Sequence, residues 1–422
     1  MDALLAAQVY RVAFWRVAGE EINYRRFFDI NDLAAIKMEH PHVFQETHKL
    51  IFQLIREWKV SGLRIDHPDG LYEPTEYFRR VQRGVFLAAC RNCFESSLQD
   101  KGSDWKAVEE RLLRRYDEEL ALDSQSPLWR TFYIIAEKIL TKGERLPEGW
   151  AIDGTTGYDF LNHLNGIFVD GANGKHFEDI YSRFTNLKID FQQLAYGTKK
   201  LIMQVAMSSE INVLGYQLDR ISEKNRLSRD FTLYSLIDAL REIIACFPVY
   251  RTYASPGDVS VSDGDRIAIY RATAKAKRRN PTTNVSIFDF IRDILCLRFP
   301  DYLDPQDQRE QREFVMKFQQ CTGPVMAKGI EDTAFYVYNR LVSLNEVGGD
   351  PEEFGVSLTA FHRGNAQRRE AWPYSLLATS THDTKRSEDV RARLNVLSEI
   401  PDEWKTCLGR WGRLNRKKKL LV

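Results

Sequence analysis

The segment GLRIDHPDG, residues 62–70, predicts a short strand that ends at Asp66 and runs into a turn-rich loop. Apolar residues recur at helical spacing just before it, from Phe44 to Trp58. The stretch TEYFRRVQRGVFLAACRNCF, residues 75–94, has the composition of a helix. Helix, strand, loop and helix in this order are typical of βα units, so we predict an α/β fold with a parallel sheet.

Two further apolar segments end in an acid. They are FYIIAE, residues 132–137, which predicts a buried strand, and LLATSTHD, residues 376–383. Active sites of parallel βα folds lie at the carboxyl ends of the strands, so Asp66, Glu137 and Asp383 are expected to converge in one pocket. Each acid alone has a structural alternative, because an acid after a strand is often a helix N-cap or a turn residue.

The neighbours of these acids favour chemistry on sugars. Arg64 precedes Asp66 by two residues on the same strand face, where it can hold and orient the carboxylate. His67 and His382 stand beside acids and suit hydrogen bonds to sugar hydroxyls. A metal site is the alternative, but no third ligand stands at a suitable spacing, and we predict no metal. In glycoside chemistry one carboxylate attacks and another protonates the leaving oxygen, and the apolar segment before Glu137 would raise its pKa.

Composition excludes several other classes of protein. The 60 Lys and Arg residues nearly balance the 59 Asp and Glu residues, whereas nucleic-acid binders usually carry a basic excess. The sequence contains no apolar run of about 18 residues, which is the length that would suggest a membrane span. The six cysteines show no disulfide or zinc spacing, and the acidic N-terminus lacks the basic start of a signal peptide. We therefore predict a cytoplasmic protein with no nucleic-acid or membrane partner.

Three motifs resemble signature regions of the alpha-amylase superfamily. GLRIDHPDG resembles the second region, AEKIL the third and STHDTKRSED the fourth. The wider resemblance, from about Tyr10 to Leu397, is to the maltooligosyltrehalose synthase family, which are glucan 1-alpha-D-glucosylmutases. The segments that carry it are NYRRFFDINDLA (23–34), GLRIDHPDGLYEP (62–74), LPEGWAIDGTTGYDFLN (146–162), GPVMAKGIEDTAFYVYNRL (323–341), SLNEVGGDP (343–351) and ATSTHDTKRSEDVRARL (378–394).

The resemblance implies a role for each candidate residue. Asp66 would be the nucleophile, Glu137 the general acid and base, and Asp383 the third acid, which fixes sugar hydroxyls. Arg64 would position Asp66, while His67 and His382 would bind the sugar at the cleavage point. A second set would line the pocket, with a structural role as the alternative for each: Tyr24, Arg25, Arg26, Lys328, Glu331, Lys385 and Arg386.

The resemblance also implies an isomerase that acts on maltooligosaccharides, linear alpha-1,4-glucans. The terminal alpha-1,4 bond would become an alpha,alpha-1,1 bond by a retaining double displacement in which the released glucose stays bound. No cofactor would be required. Two alternatives remain. One is another alpha-amylase superfamily enzyme, a hydrolase or a 4-alpha-glucanotransferase. The other is an inactive fragment that binds glucans.

The expected fold is α/β, part of a (β/α)8 TIM barrel with a large, mostly helical insertion. The family's first signature region, an Asp-x-x-x-Asn-His-type loop, should precede Asp66, yet residues 1–65 contain no Asn-His pair. We therefore expect about strands four to seven, without the N- and C-terminal barrel segments. Residues 1–171 would carry the nucleophile and acid/base, 172–320 the insertion and 321–422 the third acid. Such a part exposes open sheet edges, so we expect poor stability or a complementing partner.

Overall fold

The computed structural model describes residues 1–97, 104–123, 126–300 and 303–418, which form two small sheets among many helices. The strands are β1 (Arg26–Phe27), β2 (Ile30–Ala34), β3 (Gly62–Ile65), β4 (Tyr133–Ala136) and β5 (Gly154–Thr155). The α-helices are α1 (Asp2–Ala6), α2 (Pro41–Arg56), α3 (Pro74–Ser97), α4 (Trp105–Leu122), α5 (Tyr158–Ile167), α6 (Gly174–Thr185), α7 (Phe191–Val205), α8 (Ser208–Glu223), α9 (Leu233–Ala245), α10 (Asp263–Arg279), α11 (Val285–Leu295), α12 (Pro305–Met326), α13 (Phe335–Val337), α14 (Leu358–Ala371), α15 (Glu388–Asn395) and α16 (Pro401–Leu414). None of these helices is long and apolar enough to cross a membrane.

The larger sheet is parallel, with strand order β3, β4, β5. The central strand β4 supplies Ile134, Ile135 and Ala136, which are fully buried. Apolar side chains without alternation are typical of a strand that is covered on both faces. With α2 before β3 and α3 after it, the predicted helix, strand, loop and helix unit is confirmed.

The predicted strand over residues 376–383 is wrong. Leu376 donates its amide to the carbonyl of Thr155 at 3.0 Å, and Ser375 Oγ also bonds to Thr155, but no ladder continues from there. The neighbouring strand β5 has only two residues, so it offers too few backbone groups to define a partner strand. Leu376 and Leu377 are exposed here, which removes the burial that an apolar strand pattern presupposes.

The contacts within the chain define two compact units. The first comprises residues 1–37 and 196–330. Its core is a cluster of buried side chains from α7 to α12, including Leu236 and Leu240. One face of α9 is apolar and buried, and Thr232 caps the helix by accepting a hydrogen bond from the amide of Ser235.

The second unit comprises residues 38–195 and 331–422, and it holds the parallel sheet. Beside the sheet, Phe78 of α3 packs against Trp150 with ring centroids 5.0 Å apart, and both side chains are fully buried. A separate small cluster joins Val169, Phe177 and Leu344. These buried contacts fix the sheet against its helices and thereby the loops that leave its carboxyl edge.

Candidate active site

The parallel pairing of β3 and β4 brings Asp66 and Glu137 to the same sheet edge. Asp66 directly follows β3 and Glu137 directly follows β4, and the last residues of the strands, Ile65 and Ala136, are paired. The amide of Glu137 donates to the carbonyl of Ile65 at 2.9 Å, which extends the ladder by one bond. The two carboxylates therefore leave neighbouring strands side by side.

Arg64 connects two of the three acids. Its Nη1 atom lies 2.5 Å from Oδ1 of Asp66, and its Nη2 atom lies 3.6 Å from Oδ2 of Asp383. Burial opposes the positive charge, but the hydrogen bond and the negative charge of Asp66 raise the pKa of Arg64 above its usual value. The guanidinium thus spans the gap between the loop after β3 and the segment that carries the third acid.

Asp383 is also held by a buried phenol. The hydroxyl of Tyr158, at the start of α5, donates to Oδ2 of Asp383 at 3.2 Å and lies 2.9 Å from Oγ1 of Thr381. Tyr158 is only 1% exposed. The ring of His382 adds an Nε2 contact of 3.2 Å to the same carboxylate oxygen. Although no strand precedes Asp383, these contacts place it beside Arg64 and Asp66.

The two acids that follow the strands differ in burial: Glu137 is the more buried, and Asp66 is the more exposed. Burial raises the pKa of Glu137 to about 8. The amide of His67, which donates to Oε2 of Glu137 at 2.9 Å, opposes this rise, and the negative charges of Asp66 and Asp69 add to it. Asp66, by contrast, exposes 57% of its side chain and pairs with Arg64. The site therefore offers a protonated carboxyl group at neutral pH beside an accessible carboxylate.

The backbone at His67 is shaped for this contact. His67 has a φ of 45°, in the left-handed region, and this turn directs its amide to Glu137. The ring of His67 lies against Gly70, where an added Cβ would come within 2.3 Å of ring atom Cδ2. A side chain at position 70 would therefore displace the ring of His67.

A buried lysine ties together the two loops that leave β3 and β4. Lys138 is 1% exposed, and its Nζ atom lies 3.4 Å from Asp69 and 2.9 Å from Glu144, besides donating to the carbonyl of Ile139 at 2.7 Å. Burial opposes the ammonium charge, but the two carboxylates together raise the pKa of Lys138. The loops with Asp66 and Glu137 are therefore joined behind the site.

Three of the outer pocket residues lie in the same unit as the acids. Glu331 is buried, and the ammonium of Lys385 donates to Asp332 at 2.8 Å. Burial lowers and the hydrogen bond to Asp332 raises the pKa of Lys385, with a net rise. The guanidinium of Arg386 donates to the carbonyl of Val342 at 3.2 Å.

The other four outer residues lie in the first unit. The hydroxyl of Tyr24 donates to the carbonyl of Asn31 at 2.8 Å, and the carbonyl of Arg25 accepts the amide of Ala35. Arg26 is buried and donates to Glu210 through Nε and Nη2, which favours its structural alternative. Lys328 belongs to a π-helix, Ala327–Ala334, and its Nζ atom lies 3.4 Å from Asp29.

Sequence reasoning missed Tyr158 and Lys138 as parts of the site. Tyr158 lies three residues after β5, so the rule that placed Asp66 and Glu137 at strand ends could have been applied to it as well. Lys138 directly follows Glu137, but an isolated lysine in a sequence gives no signal that it is buried. Among the residues that the structure describes, no group of three or more His, Cys, Asp or Glu side chains could hold a metal ion.

The chain is similar in sequence to two known proteins. No family model matches the chain. Two proteins of Mycobacterium tuberculosis, strains CDC 1551 / Oshkosh and H37Rv, carry the name "Putative maltooligosyl trehalose synthase". Each is 29% identical to this chain over 402 residues, which are 95% of this chain and 43% of the relative.

Solved structures give the same result. The maltooligosyltrehalose synthase from Arthrobacter ramosus matches with a TM-score of 0.76 and 32% identity, over 98% of this chain and 45% of that protein. The Sulfolobus tokodaii hypothetical maltooligosyl trehalose synthase matches with a TM-score of 0.66 and 31% identity, over 98% of this chain and 44% of that protein. The resemblance seen in the sequence is thereby confirmed: the chain is similar over nearly its whole length to maltooligosyltrehalose synthases, and it spans somewhat less than half of the length of those it matches.

Proposed function

We propose that the chain carries the catalytic acids of a glucan 1-alpha-D-glucosylmutase, an isomerase that forms maltooligosyltrehalose from maltooligosaccharides. The observation that carries the proposal is the contrast between Glu137 and Asp66. Burial raises the pKa of Glu137 to about 8, whereas Asp66 is exposed and paired with Arg64. A retaining glycosidase-type site needs this combination of a proton donor and a carboxylate nucleophile.

In the first step a carboxylate oxygen of Asp66 attacks the anomeric carbon of the penultimate glucose unit. The bond from that carbon to O4 of the reducing-end glucose breaks, and Glu137 gives its proton to O4. The products of this step are a glycosyl ester on Asp66, a bound glucose and an ionised Glu137. The pKa of about 8 keeps Glu137 protonated at neutral pH before the step.

In the second step the released glucose turns within the pocket and presents its anomeric hydroxyl. Glu137 takes the proton from this hydroxyl, and the hydroxyl oxygen attacks the glycosyl carbon. The bond from that carbon to Asp66 breaks, and Asp66 leaves as a carboxylate. The alpha-1,4 bond has become an alpha,alpha-1,1 bond, and no water or cofactor has been consumed. Two inversions at the same carbon give net retention.

The other site residues would serve binding. Asp383, held by Arg64 and Tyr158, would accept hydrogen bonds from sugar hydroxyls and support ring distortion, and His67 and His382 would bind the same sugar. We assign the outer pocket to Glu331, Lys385 and Arg386, which lie in the same unit as the acids. The binding roles of Tyr24, Arg25, Arg26 and Lys328 stay predictions from the sequence. For Arg26 the buried contacts with Glu210 weigh against a direct role.

The proposal also covers the fold of the chain and its location in the cell. We propose that the parallel sheet is part of a (β/α)8 barrel and that residues 172–320 form an insertion between residues 1–171 and 321–422. The parallel order of β3, β4 and β5, with α2 before β3 and α3 after it, supports the barrel. A cytoplasmic location would fit the maltooligosaccharide substrate.

The test is to incubate the purified chain with maltopentaose and to follow reducing ends and free glucose together. Loss of reducing ends with little free glucose, abolished in Asp66→Asn, is the expected result. A rise in reducing ends would indicate a hydrolase, and redistribution of chain lengths with constant reducing ends would indicate a 4-alpha-glucanotransferase. No turnover, with glucan binding retained in Asp66→Asn, would indicate an inactive binding fragment.

A further inference from the structure

The segment SLNEVGGDP, residues 343–351, takes no part in the proposed chemistry, yet its Glu346 is almost completely buried. Glu346 is 1% exposed, and its carboxylate accepts four hydrogen bonds. Oε1 accepts from the amides of Val347 at 2.9 Å and Lys385 at 2.6 Å. Oε2 accepts from the amide of Arg386 at 3.2 Å and from Nη1 of Arg391 at 3.2 Å.

Arg391, on α15, is the buried cation beside Glu346. Its side chain is 3% exposed. Besides Glu346, its Nη1 atom donates to the carbonyl of Arg386 at 2.5 Å, and its Nη2 atom donates to the carbonyl of Thr379. The ion pair therefore binds the backbone at both ends of the segment Thr379–Arg386, which carries His382, Asp383 and Lys385.

Glu346 is itself fixed by its neighbour in the chain. The side-chain amide of Asn345 is buried and donates to the carbonyls of Phe335 at 2.8 Å and Tyr338 at 2.6 Å. The segment around Glu346 is thus attached to a second part of the chain, and it can serve as a rigid support for what Glu346 holds.

We propose that Glu346 and Arg391 are positioning residues that hold Asp383 in place by fixing the backbone of Thr379–Arg386. This segment belongs to no helix or strand. Asp66 and Glu137 directly follow strands whose backbones are fixed by a hydrogen-bond ladder, and Asp383 has no such strand before it. A carboxylate that must fix sugar hydroxyls has to be held closely, because small displacements reduce rates strongly. The consequence for turnover rests on the proposed function, whereas the fixing of the backbone does not.

A purely structural ion pair is the alternative. Buried ion pairs are weak evidence for stability, because desolvation offsets the attraction, and breaking one destabilises the whole fold. A stability effect alone would therefore not distinguish the two roles. A local change in the amides of Thr379–Arg386 would, because those amides report on the segment itself.

The test uses hydrogen exchange by mass spectrometry on the full chain with Glu346→Gln. We expect exchange in peptides covering residues 379–386 to accelerate at least tenfold, while peptides of the central strand β4 keep their rates. We expect kcat on maltopentaose to fall about 10- to 100-fold with a smaller change in KM. Glu178→Gln is the matched control, because it removes one charge from an ion pair of the same unit that involves Arg340 instead.

Arg391→Lys is the second variant, and it serves if Glu346→Gln does not fold. It keeps the positive charge, but a lysine cannot reach both carbonyls, so exchange in residues 379–386 should still accelerate. Unchanged exchange there in both variants, or equal acceleration in Glu178→Gln, overturns the positioning role. If the unmutated chain shows no turnover but the exchange difference appears, the proposed function fails and the fixing of the segment stands.

Discussion

At the level of single residues, the buried state of Glu137 has a consequence for stability that is independent of turnover. A carboxyl group whose pKa rises from the ordinary 4.5 to about 8 on folding binds its proton more tightly in the folded chain. Its contribution to stability is fully present below about pH 4.5. It is lost as the pH rises from about 4.5 to about 8.

We therefore predict that Glu137→Gln becomes more stable relative to the unmutated chain as the pH rises. The difference in free energy of unfolding should grow by about 1–3 kcal/mol between pH 5 and pH 8, after allowance for partial solvent access. Urea unfolding at both pH values measures it. A difference that is the same at both pH values contradicts the buried, protonated state of Glu137.

Tyr158 should affect both activity and stability through its hydroxyl. Tyr158→Phe removes the hydrogen bond to the carboxylate of Asp383, so kcat/KM on maltopentaose should fall about tenfold and stability by about 1 kcal/mol. Tyr116→Phe is the matched control, because the buried Tyr116 donates to the carbonyl of Leu128 in another part of the chain. It should lose similar stability at unchanged kcat/KM. Equal activity of the two variants would refute a role for Tyr158 at Asp383.

At the level of elements, the loops after β3 and β4 depend on Lys138. Lys138→Met leaves Asp69 and Glu144 without their buried cation, and it should lower the free energy of unfolding by about 3–5 kcal/mol. Lys142→Met in the same loop removes an exposed pair with Glu353 and should change it by less than about 0.5 kcal/mol. A loss below about 1 kcal/mol in Lys138→Met would show that the loops are held by other contacts.

The turn between β5 and α5 depends on a glycine. Gly157 has a φ of 92°, and an added Cβ would lie 2.3 Å from the carbonyl oxygen of Leu376. Gly157→Ala should therefore destabilise by about 2–4 kcal/mol through backbone strain and displacement of that segment. Gly143 has a φ of 82° but open space around it, so Gly143→Ala should lose only about 1 kcal/mol. Equal losses would mean that the contact with Leu376 does not constrain the turn.

The lengths of the strands explain which parts of the site could be predicted from the sequence. Asp66 and Glu137 were predictable as neighbours because each directly follows an apolar strand, and parallel strands end at one edge. The segment around Leu376 has the same apolar pattern, but it lies against a two-residue strand and remains irregular. Its structure depends on tertiary contacts, such as those of Arg391, which periodicity does not contain.

At the level of the whole molecule, the parallel sheet with its flanking helices could be predicted from the order of helices and strands, and the reaction class could not. The balanced charge disfavoured a nucleic-acid binder but did not point to a sugar. The motifs around Asp66, Glu137 and Asp383 carried the family resemblance. The apolar segment before Glu137 already predicted its burial and raised pKa. The contact of Tyr158 with Asp383 and the ion pair of Glu346 with Arg391 required coordinates, because each joins residues that are far apart in the chain.

The central claim is that Asp66 is the nucleophile and Glu137 the acid and base of a retaining site. The most direct measurement is to treat the Glu137→Gln chain with alpha-maltosyl fluoride and to analyse its peptides by mass spectrometry. Fluoride leaves without protonation, and the missing base slows the second step, so a glycosyl ester should accumulate. We predict a maltosyl group on Asp66, absent from the double variant with Asp66→Asn. No adduct, or an adduct on Asp383 instead, would contradict the account.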